Sequence, residues 1–387
     1  MRAEWRACQL GEVCTLQRGF DLPKKDRQVG KIPLIGSSGA IDVHSEKKVL
    51  GPGVVTGRSG SIGRVFYIDD DFWPLNTTLY VKDFHGNYPR FIYHLLSSFK
   101  LERFSSGAGV PTLNRNSVHG EKVNIPESVE EQKRIVAILD EAFAGIDAAI
   151  ANTEKNLANA RELFESYLSS VFGRRGKDWC EFTLKEVCTE YGRGKSKHRP
   201  RNDPRLYGGD YPFIQTGDVR RSDHIITDFS KTYNDKGLSQ SKLWPKGTIC
   251  ITIAANIAET GVLGFDSCFP DSIIGLVVDN TKASNSYVEF LLQSVKTVLK
   301  AKGKGSAQDN INLGTFEKEK FPFPPLAVQQ QVVANAEELR VMLRELEHIY
   351  ERKLSALAEL KQSLLQKAFT GELTAENMEN EAREAVI

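Results

Sequence analysis

At 387 residues the chain is long enough for two or three domains, each burying its own core. Its charges nearly cancel, 51 Lys+Arg against 50 Asp+Glu, and no apolar run approaches the roughly 18 residues that cross a bilayer, so a membrane protein and a strongly polyanionic or polycationic tail protein are excluded. The six cysteines form no C-x-x-C pair, and the opening Met-Arg-Ala-Glu-Trp-Arg lacks the apolar stretch of a signal peptide; both fit buried thiols in a reducing cytoplasm.

Residues 1–126 read as a mixed, β-rich domain. Val54-Val55-Thr56 and Val65-Phe66-Tyr67-Ile68 are strand-like, the glycine-rich stretch 57–63 is a turn between them, and Phe91-Ile92-Tyr93-His94-Leu95-Leu96 predicts a closing helix. Candidate polyanion contacts here are Lys24, Lys25 and Arg27, then Arg58 and Arg64, then Thr112 and Asn114 in a glycine-containing loop.

Residues 127–173 predict one long helix. Apolar or small residues at Ile135, Leu139, Ala142, Ile146, Ala149, Thr153, Leu157, Ala160, Phe164 and Val171 follow the four-three rhythm of a coiled-coil seam. Pro126 precedes the helix, and Gly173 and Gly176 follow it.

Residues 174–324 repeat the first domain with insertions. Leu10-Gly11-Glu12-Val13-Cys14-Thr15 returns as Leu184-Lys185-Glu186-Val187-Cys188-Thr189, 174 residues later. Residues 248–253 and 273–278 are strand-like, and Tyr287-Val288-Glu289-Phe290-Leu291-Leu292 predicts the closing helix. The stretch 191–205 carries Arg193, Lys195, Lys197, Arg199 and Arg201 among small and polar residues, which suits a loop that follows phosphates and sends an arginine to base edges. Lys302 and Lys304 with Gln308 and Asn310 make a second candidate, because Gln and Asn can pair an adenine edge.

Residues 325–374 predict the second long helix, with Leu339, Leu343, Leu346, Leu354, Leu357 and Leu364 on its seam; residues 375–387 are a polar tail. Ile135 returns as Val332, 197 residues later, so the helices keep register while the domains drift. Thr153→Leu157 and Tyr350→Leu354 each predict a second consecutive step of four, a stutter. Connectivity makes the helices antiparallel if their seams meet, each about 40 residues and roughly 60 Å long. Charge alternates with the parts: residues 1–126 hold 17 basic against 12 acidic, 127–173 hold 4 against 9, 174–324 hold 23 against 18, and 325–387 hold 7 against 11. Basic domains suit a polyanion and acidic helices suit protein contact.

Catalytic and metal-binding patterns are missing. Gly194-Lys195-Ser196 lacks the glycine that a phosphate-binding loop needs five positions earlier, where Thr189 stands. The G-x-x-G-x-x-G run at 57–63 is not the dinucleotide fingerprint, and the seven histidines form no HExxH. Asp69-Asp70-Asp71 reads as an acidic turn. Phe321-Pro322-Phe323-Pro324-Pro325 lacks the residue order of an adenine methyltransferase motif.

With the stretch 211–219, the helix entrances at Ile125-Pro126 and Phe323-Pro324-Pro325, and residues 360–373 in this order, the chain resembles over essentially its whole length the specificity (S) subunits of type I restriction–modification enzymes. The residues that carry the likeness are Tyr211-Pro212-Phe213-Ile214-Gln215-Thr216-Gly217-Asp218-Val219, with Ile32-Pro33-Leu34-Ile35-Gly36 as its weaker partner departing from the pattern at Gly36-Ser37. Ile125-Pro126…Glu131-Gln132-Lys133-Arg134-Ile135 and Phe323-Pro324-Pro325…Gln330-Gln331-Val332 resemble the starts of the family's helical regions, and residues 360–373 resemble its C-terminal signature. The resemblance implies an α+β fold in which two α/β target-recognition domains are separated by two long antiparallel coiled-coil helices with pseudo-two-fold symmetry. It adds Gln215 and Thr216 to the candidate DNA contacts. It implies that each domain reads half of a split site in double-stranded DNA, that the helices dock two modification (methyltransferase) subunits, and that restriction (endonuclease/translocase) subunits join. No catalytic residue, metal or cofactor is then expected in this chain; S-adenosylmethionine, ATP and Mg belong to the partners. A specificity subunit serving a fused methylase–nuclease, and a coiled-coil scaffold with protein-binding heads, are the competing readings.

Overall fold

The computed structural model describes residues 4–107, 111–174, 176–254, 257–296 and 319–374. The chain divides into two compact units, residues 1–154 with 351–387, and residues 155–350. The division cuts two long helices, Val129–Phe172 and Leu326–Thr370, near their middles, so each unit holds one globular domain and one half of each helix. Proline is absent from both helices, and Gly145 is the one glycine within them. Pro325 stands immediately before the second helix, and Gly371 closes it in the left-handed conformation that glycine tolerates, with φ at 82°.

In unit 1, strand Trp5–Gln9 pairs antiparallel with Lys122–Pro126, closing the domain just before the helix. A four-stranded antiparallel sheet follows the order Thr15–Arg18, Thr78–Asp83, Gly53–Gly57, Val65–Ile68. Three more strands run in the order Gly39–His44, Ile32–Gly36, Trp73–Pro74. Helix Pro89–Ser98 begins with a proline that has no N–H to leave unpaired, and it buries Phe91, Ile92, Leu95 and Leu96. Those side chains share one core with Ile135, Leu139, Phe143 and Ile146 of the first long helix and Leu365 and Ala368 of the second.

Unit 2 is built to the same plan. Cys180–Phe182 pairs with Phe321–Phe323. The larger sheet runs Cys188–Arg193, Ile273–Val278, Ile249–Thr252, Thr260–Leu263, and adds Ile225–Ile226 at its edge. The smaller sheet runs Lys231–Tyr233, Tyr207–Phe213, Ser267–Cys268, Leu243–Trp244. Helix Asn285–Ser294, capped by Ser284, buries Tyr287, Val288, Phe290, Leu291 and Leu292 against Leu168, Phe172 and Ala336 of the long helices.

One buried side chain ties each long helix to its domain. The Gln132 amide donates to Asn87 Oδ1 (2.7 Å) and Pro126 O (3.2 Å), and its oxygen accepts from Tyr88 N (2.8 Å). Gln329, at the same repeat position, donates to Lys282 O (3.0 Å) and Pro324 O (2.9 Å) and accepts from Ser284 N (3.1 Å). Both glutamines are fully buried. Each clamps the strand that leaves the domain and the first N–H groups of the domain helix, which lack intrahelical acceptors.

Within each unit the N-terminal half of one long helix packs with the C-terminal half of the other, so the two run antiparallel. Lys361 Nζ meets Asp147 at 2.8 Å in unit 1, and Arg161 Nε meets Glu347 at 3.6 Å in unit 2. None of the eleven expected seam residues is exposed, and Ile135, Leu139, Ile146 and Leu343 are buried. The first helix departs from the expected rhythm at two places. Phe143 and Ile150 pack against the core beside half-buried Ala142 and Ala149, and their larger apolar surfaces gain more from burial. The covered face thus widens to include Phe143 and Ile150, and a further pair of four-residue steps runs through Ala160, Phe164 and Leu168. The predicted stutter at Thr153 coincides with half-buried Ala149, buried Thr153 and half-buried Leu157, and the one at Tyr350 with half-buried Leu346, Tyr350 and Leu354.

The cysteines are all free. Cys14, Cys250 and Cys268 are buried, Cys8 and Cys188 are half-buried, and Cys180 is exposed, which departs from the expectation of uniformly buried thiols. Burial pushes the thiols of the repeat-related pair, Cys14 and Cys188, up to about 12.

Candidate nucleic-acid interface

The first strand of each larger sheet ends in the same dipeptide, Arg18-Gly19 in unit 1 and Arg193-Gly194 in unit 2. Each glycine N–H donates to the start of the neighbouring strand, Gly19 to Thr78 O (3.1 Å) and Gly194 to Ile273 O (2.9 Å). A Cβ on Gly19 would overlap the carbonyl oxygens of Pro74 and Leu75; one on Gly194 would overlap those of Phe269 and Pro270. Only glycine lets the chain pass so close, and the arginine before it is left at the strand end.

In unit 1 that arginine lines a cleft of about 420 Å³ together with Arg58, Thr112, Asn114, Arg115 and Asn116. The cleft wall is held by backbone: Arg58 N donates to Thr77 O (2.8 Å), and Leu113 N donates to Arg58 O (2.7 Å). Asn114 Oδ1 caps helix Arg115–His119 by accepting from Asn116 N (3.0 Å). Arg18 pairs with Asp21 at 3.0 Å, but both side chains are exposed, so the pair is weak and a phosphate can displace it. Three guanidinium groups around one polar cleft suit bidentate recognition of phosphate or a guanine edge.

The other unit 1 candidates lie outside that cleft. Lys24 and Lys25 stand exposed on the turn Lys24–Asp26. Arg27 is engaged by Asp42 at 2.8 Å, a hydrogen bond that holds the Asp42 carboxyl below its usual range. Arg64 is exposed on the glycine-rich turn, which joins strands Gly53–Gly57 and Val65–Ile68 as expected. Asp71, from the acidic triplet, holds Lys47 Nζ (2.5 Å) and Gly51 N (3.1 Å).

In unit 2 a smaller cleft of about 110 Å³ brings together Ser196, Arg201, Gln215, Thr216 and Ser272 from three separate segments. Gln215 N donates to Asp218 Oδ2 (2.8 Å), which fixes the turn into helix Thr216–Arg221. Arg193, Lys195 and Lys197 are exposed. Arg199 folds back on its own loop, donating to Ser196 O (2.6 Å) and His198 O (2.8 Å). Arg201 makes a two-pronged contact with Asp271 (2.7 and 2.8 Å). Arg205 does the same to Asp203, whose carboxyl it holds well below the usual range. Lys302, Lys304, Gln308 and Asn310 lie outside the described residues.

Arg18, Arg115 and Asn116 were not among the sequence candidates. The repeated Arg-Gly was the available signal for Arg18; nothing in the sequence singles out Arg115. Among the described residues, no group of three or more His, Cys, Asp or Glu could hold a metal ion, and no helix is long and apolar enough to cross a membrane.

Residues 2–158 and 176–341 match the family described as the type I restriction modification DNA specificity domain. The chain belongs to this family. Each match begins at a globular domain and extends into a long helix, so the specificity domain occurs twice. The chain is 23% identical over 313 residues to the StySPI specificity subunit of Salmonella potsdam, covering 74% of this chain and 66% of the relative. It is 23% identical over 317 residues to the EcoKI specificity subunit of Escherichia coli, covering 76% and 66%. It thus spans about two thirds of the length of these relatives. Among solved structures, a chain of the type I R-M system shares the fold with a TM-score of 0.76 at 18% identity, over 95% of this chain and 98% of the other. The HsdS subunit from Thermoanaerobacter tengcongensis does so with a TM-score of 0.58 at 19% identity, over 95% and 97%.

Proposed function

We propose that the chain is the non-catalytic DNA-specificity subunit of a type I restriction–modification complex, each domain reading one half of a bipartite site in double-stranded DNA. The observation that carries this is the doubled Arg-Gly strand end, with a cleft lined by Arg18, Arg58 and Arg115 in unit 1 and a smaller one lined by Arg201, Gln215 and Thr216 in unit 2. Arginine reads guanine and glutamine or asparagine reads adenine in the major groove, so Arg18, Arg58 and Asn116 in one unit, and Arg193, Arg201 and Gln215 in the other, supply the required chemistry. The acidic helices set the spacing between half-sites and dock two methyltransferase subunits, and restriction subunits complete the assembly in a bacterial or archaeal cytoplasm. Methyl transfer and cleavage, with S-adenosylmethionine, ATP and Mg, reside on those partners.

The test mixes the full chain with its methyltransferase partner and selects from a random duplex library. A consensus of two short blocks separated by a fixed unread gap is expected. A bound pool without a split consensus overturns the reading, and affinity independent of salt would favour a protein-binding scaffold instead, because phosphate contacts release counterions.

A further inference from the structure

The repeat places a carboxylate at the same step of both long helices: Asp140 returns as Glu337, 197 residues later. In unit 1, Asp140 meets His94 Nε2 at 2.7 Å and accepts from Arg90 at 3.1 and 3.3 Å. His94 belongs to the domain helix Pro89–Ser98, is 1% exposed, and leaves its Nδ1 buried without a hydrogen-bond partner. Burial pushes its pKa down, so the neutral ring donates from Nε2 to the carboxylate. Arg90 completes the joint by lying 4.6 Å over the ring of Tyr67.

In unit 2 the domain helix carries Phe290 where the first carries His94, so that imidazole is missing. Another takes its place. His224, just before strand Ile225–Ile226, is turned inward by a backbone φ of 70°, rare for a non-glycine residue. Its ring stacks on Phe290 with centroids 5.1 Å apart and planes 9° apart. Its Nδ1 lies 2.7 Å from the fully buried Glu289, and its Nε2 lies 3.5 Å from Glu337. Arg340 pairs with Glu337 and lies 5.5 Å over the Phe290 ring, the counterpart of Arg90 over Tyr67.

Duplication accounts for the shared acid. It does not account for a histidine supplied from a different element, with a strained backbone, to meet the same position. A requirement at the joint does. We propose that Asp140 and Glu337 are positioning residues that fix the angle of each globular domain on its helix, and through that angle the length of unread DNA the chain accepts. The inference rests on the specificity reading above. One base pair is about 3.4 Å along the duplex, so a small tilt at the joint, carried to the DNA-facing side of a domain, changes which spacer fits.

The test uses the full chain with its methyltransferase partner. Wild type first defines the two half-sites, and a second library then holds them fixed and varies the gap by one and two base pairs. Asp140→Ala and Glu337→Ala should each lower the preference for the native gap over its neighbours about tenfold, or 1.4 kcal/mol, with the half-site sequences unchanged. Asp140→Glu should recover most of that preference, because it restores an acceptor for His94 and Arg90. A lowered melting temperature with gap preference within about twofold of wild type, a scale set by the same relation, would make the acids merely structural and overturn the inference. Both acids are about one third exposed, so either variant alone carries the test if the other does not fold. A wild-type pool with no split consensus overturns the specificity reading and this inference with it; a sharp wild-type gap retained by the variants overturns this inference alone.

Discussion

Replacing Gln132 with leucine keeps the volume and removes the three hydrogen bonds by which Gln132 joins the first long helix to its domain. Tyr88 N–H, Asn87 Oδ1 and Pro126 O then lose this partner; Gln132 and Pro126 are buried, and Asn87 and Tyr88 are half-buried. A buried polar group left unpaired costs roughly 1–3 kcal/mol. The 3.2 Å bond to Pro126 is the weakest, and leucine regains some apolar burial, so the net loss should be about 3 kcal/mol. Gln329→Leu should cost about the same, since its three bonds are of similar length. Two compact units do not guarantee a single unfolding transition, so the assay must be local. Hydrogen exchange read by mass spectrometry supplies it: Gln132→Leu should accelerate exchange across Pro89–Ser98 and spare Asn285–Ser294, and Gln329→Leu should do the reverse. A loss below about 1 kcal/mol, or equal loosening of both units by either variant, would refute the reasoning.

Arg58→Ala should weaken DNA binding and reduce the slope of log affinity against log salt by about 0.9 if the guanidinium meets a phosphate, measured by fluorescence anisotropy across a salt series. An unchanged slope with relaxed sequence preference would place Arg58 on a base edge. Unit 1 should lose stability in mild acid. Burial lowers the pKa of His94, and burial and then Arg115 lower that of His119, whose Nε2 accepts from Leu16 N at 2.8 Å. The unfolded chain therefore binds these protons more readily, so the stabilisation is complete above about pH 6.5 and is lost as pH falls toward the lowered folded values. Thermal melts between pH 7.5 and 5 should show that decline, and His119→Gln should flatten part of it. Leu343→Asp puts a carboxylate at a seam position that is 8% exposed and should cost at least about 3 kcal/mol, weakening assembly with the methyltransferase before half-site preference, as native mass spectrometry would show.

The long helices were legible because 44 and 45 residues without proline carry one sustained apolar rhythm. Their seam was legible only to within one residue at Phe143 and Ile150, because an α-helix drifts about 20° per heptad and adjacent positions compete for the same face. Gln132 and Gln329 were visible as repeated letters, but all but one of their partners, Asn87 Oδ1, are backbone atoms that composition does not reveal. The basic run containing Arg193 pointed to an interface. Arg18 did not stand out, because it sits alone in the sequence and gains neighbours only when Arg58 and Arg115 fold beside it. Arg27 and Arg201 looked free in the sequence; their acids, Asp42 and Asp271, lie 15 and 70 residues away. The histidines shared no spacing, and no pattern could show that two from different elements reach the same step of two helices.

The central claim is that each unit reads its own half of one DNA target. Methylome sequencing of a host carrying the wild-type gene, the Arg18→Ala variant or the Arg193→Ala variant tests it directly. Wild type should methylate one bipartite motif; each variant should blur or erase one half, a different half for each, and leave the other half and the gap intact. A single undivided motif, or both halves changing together in either variant, would contradict the account.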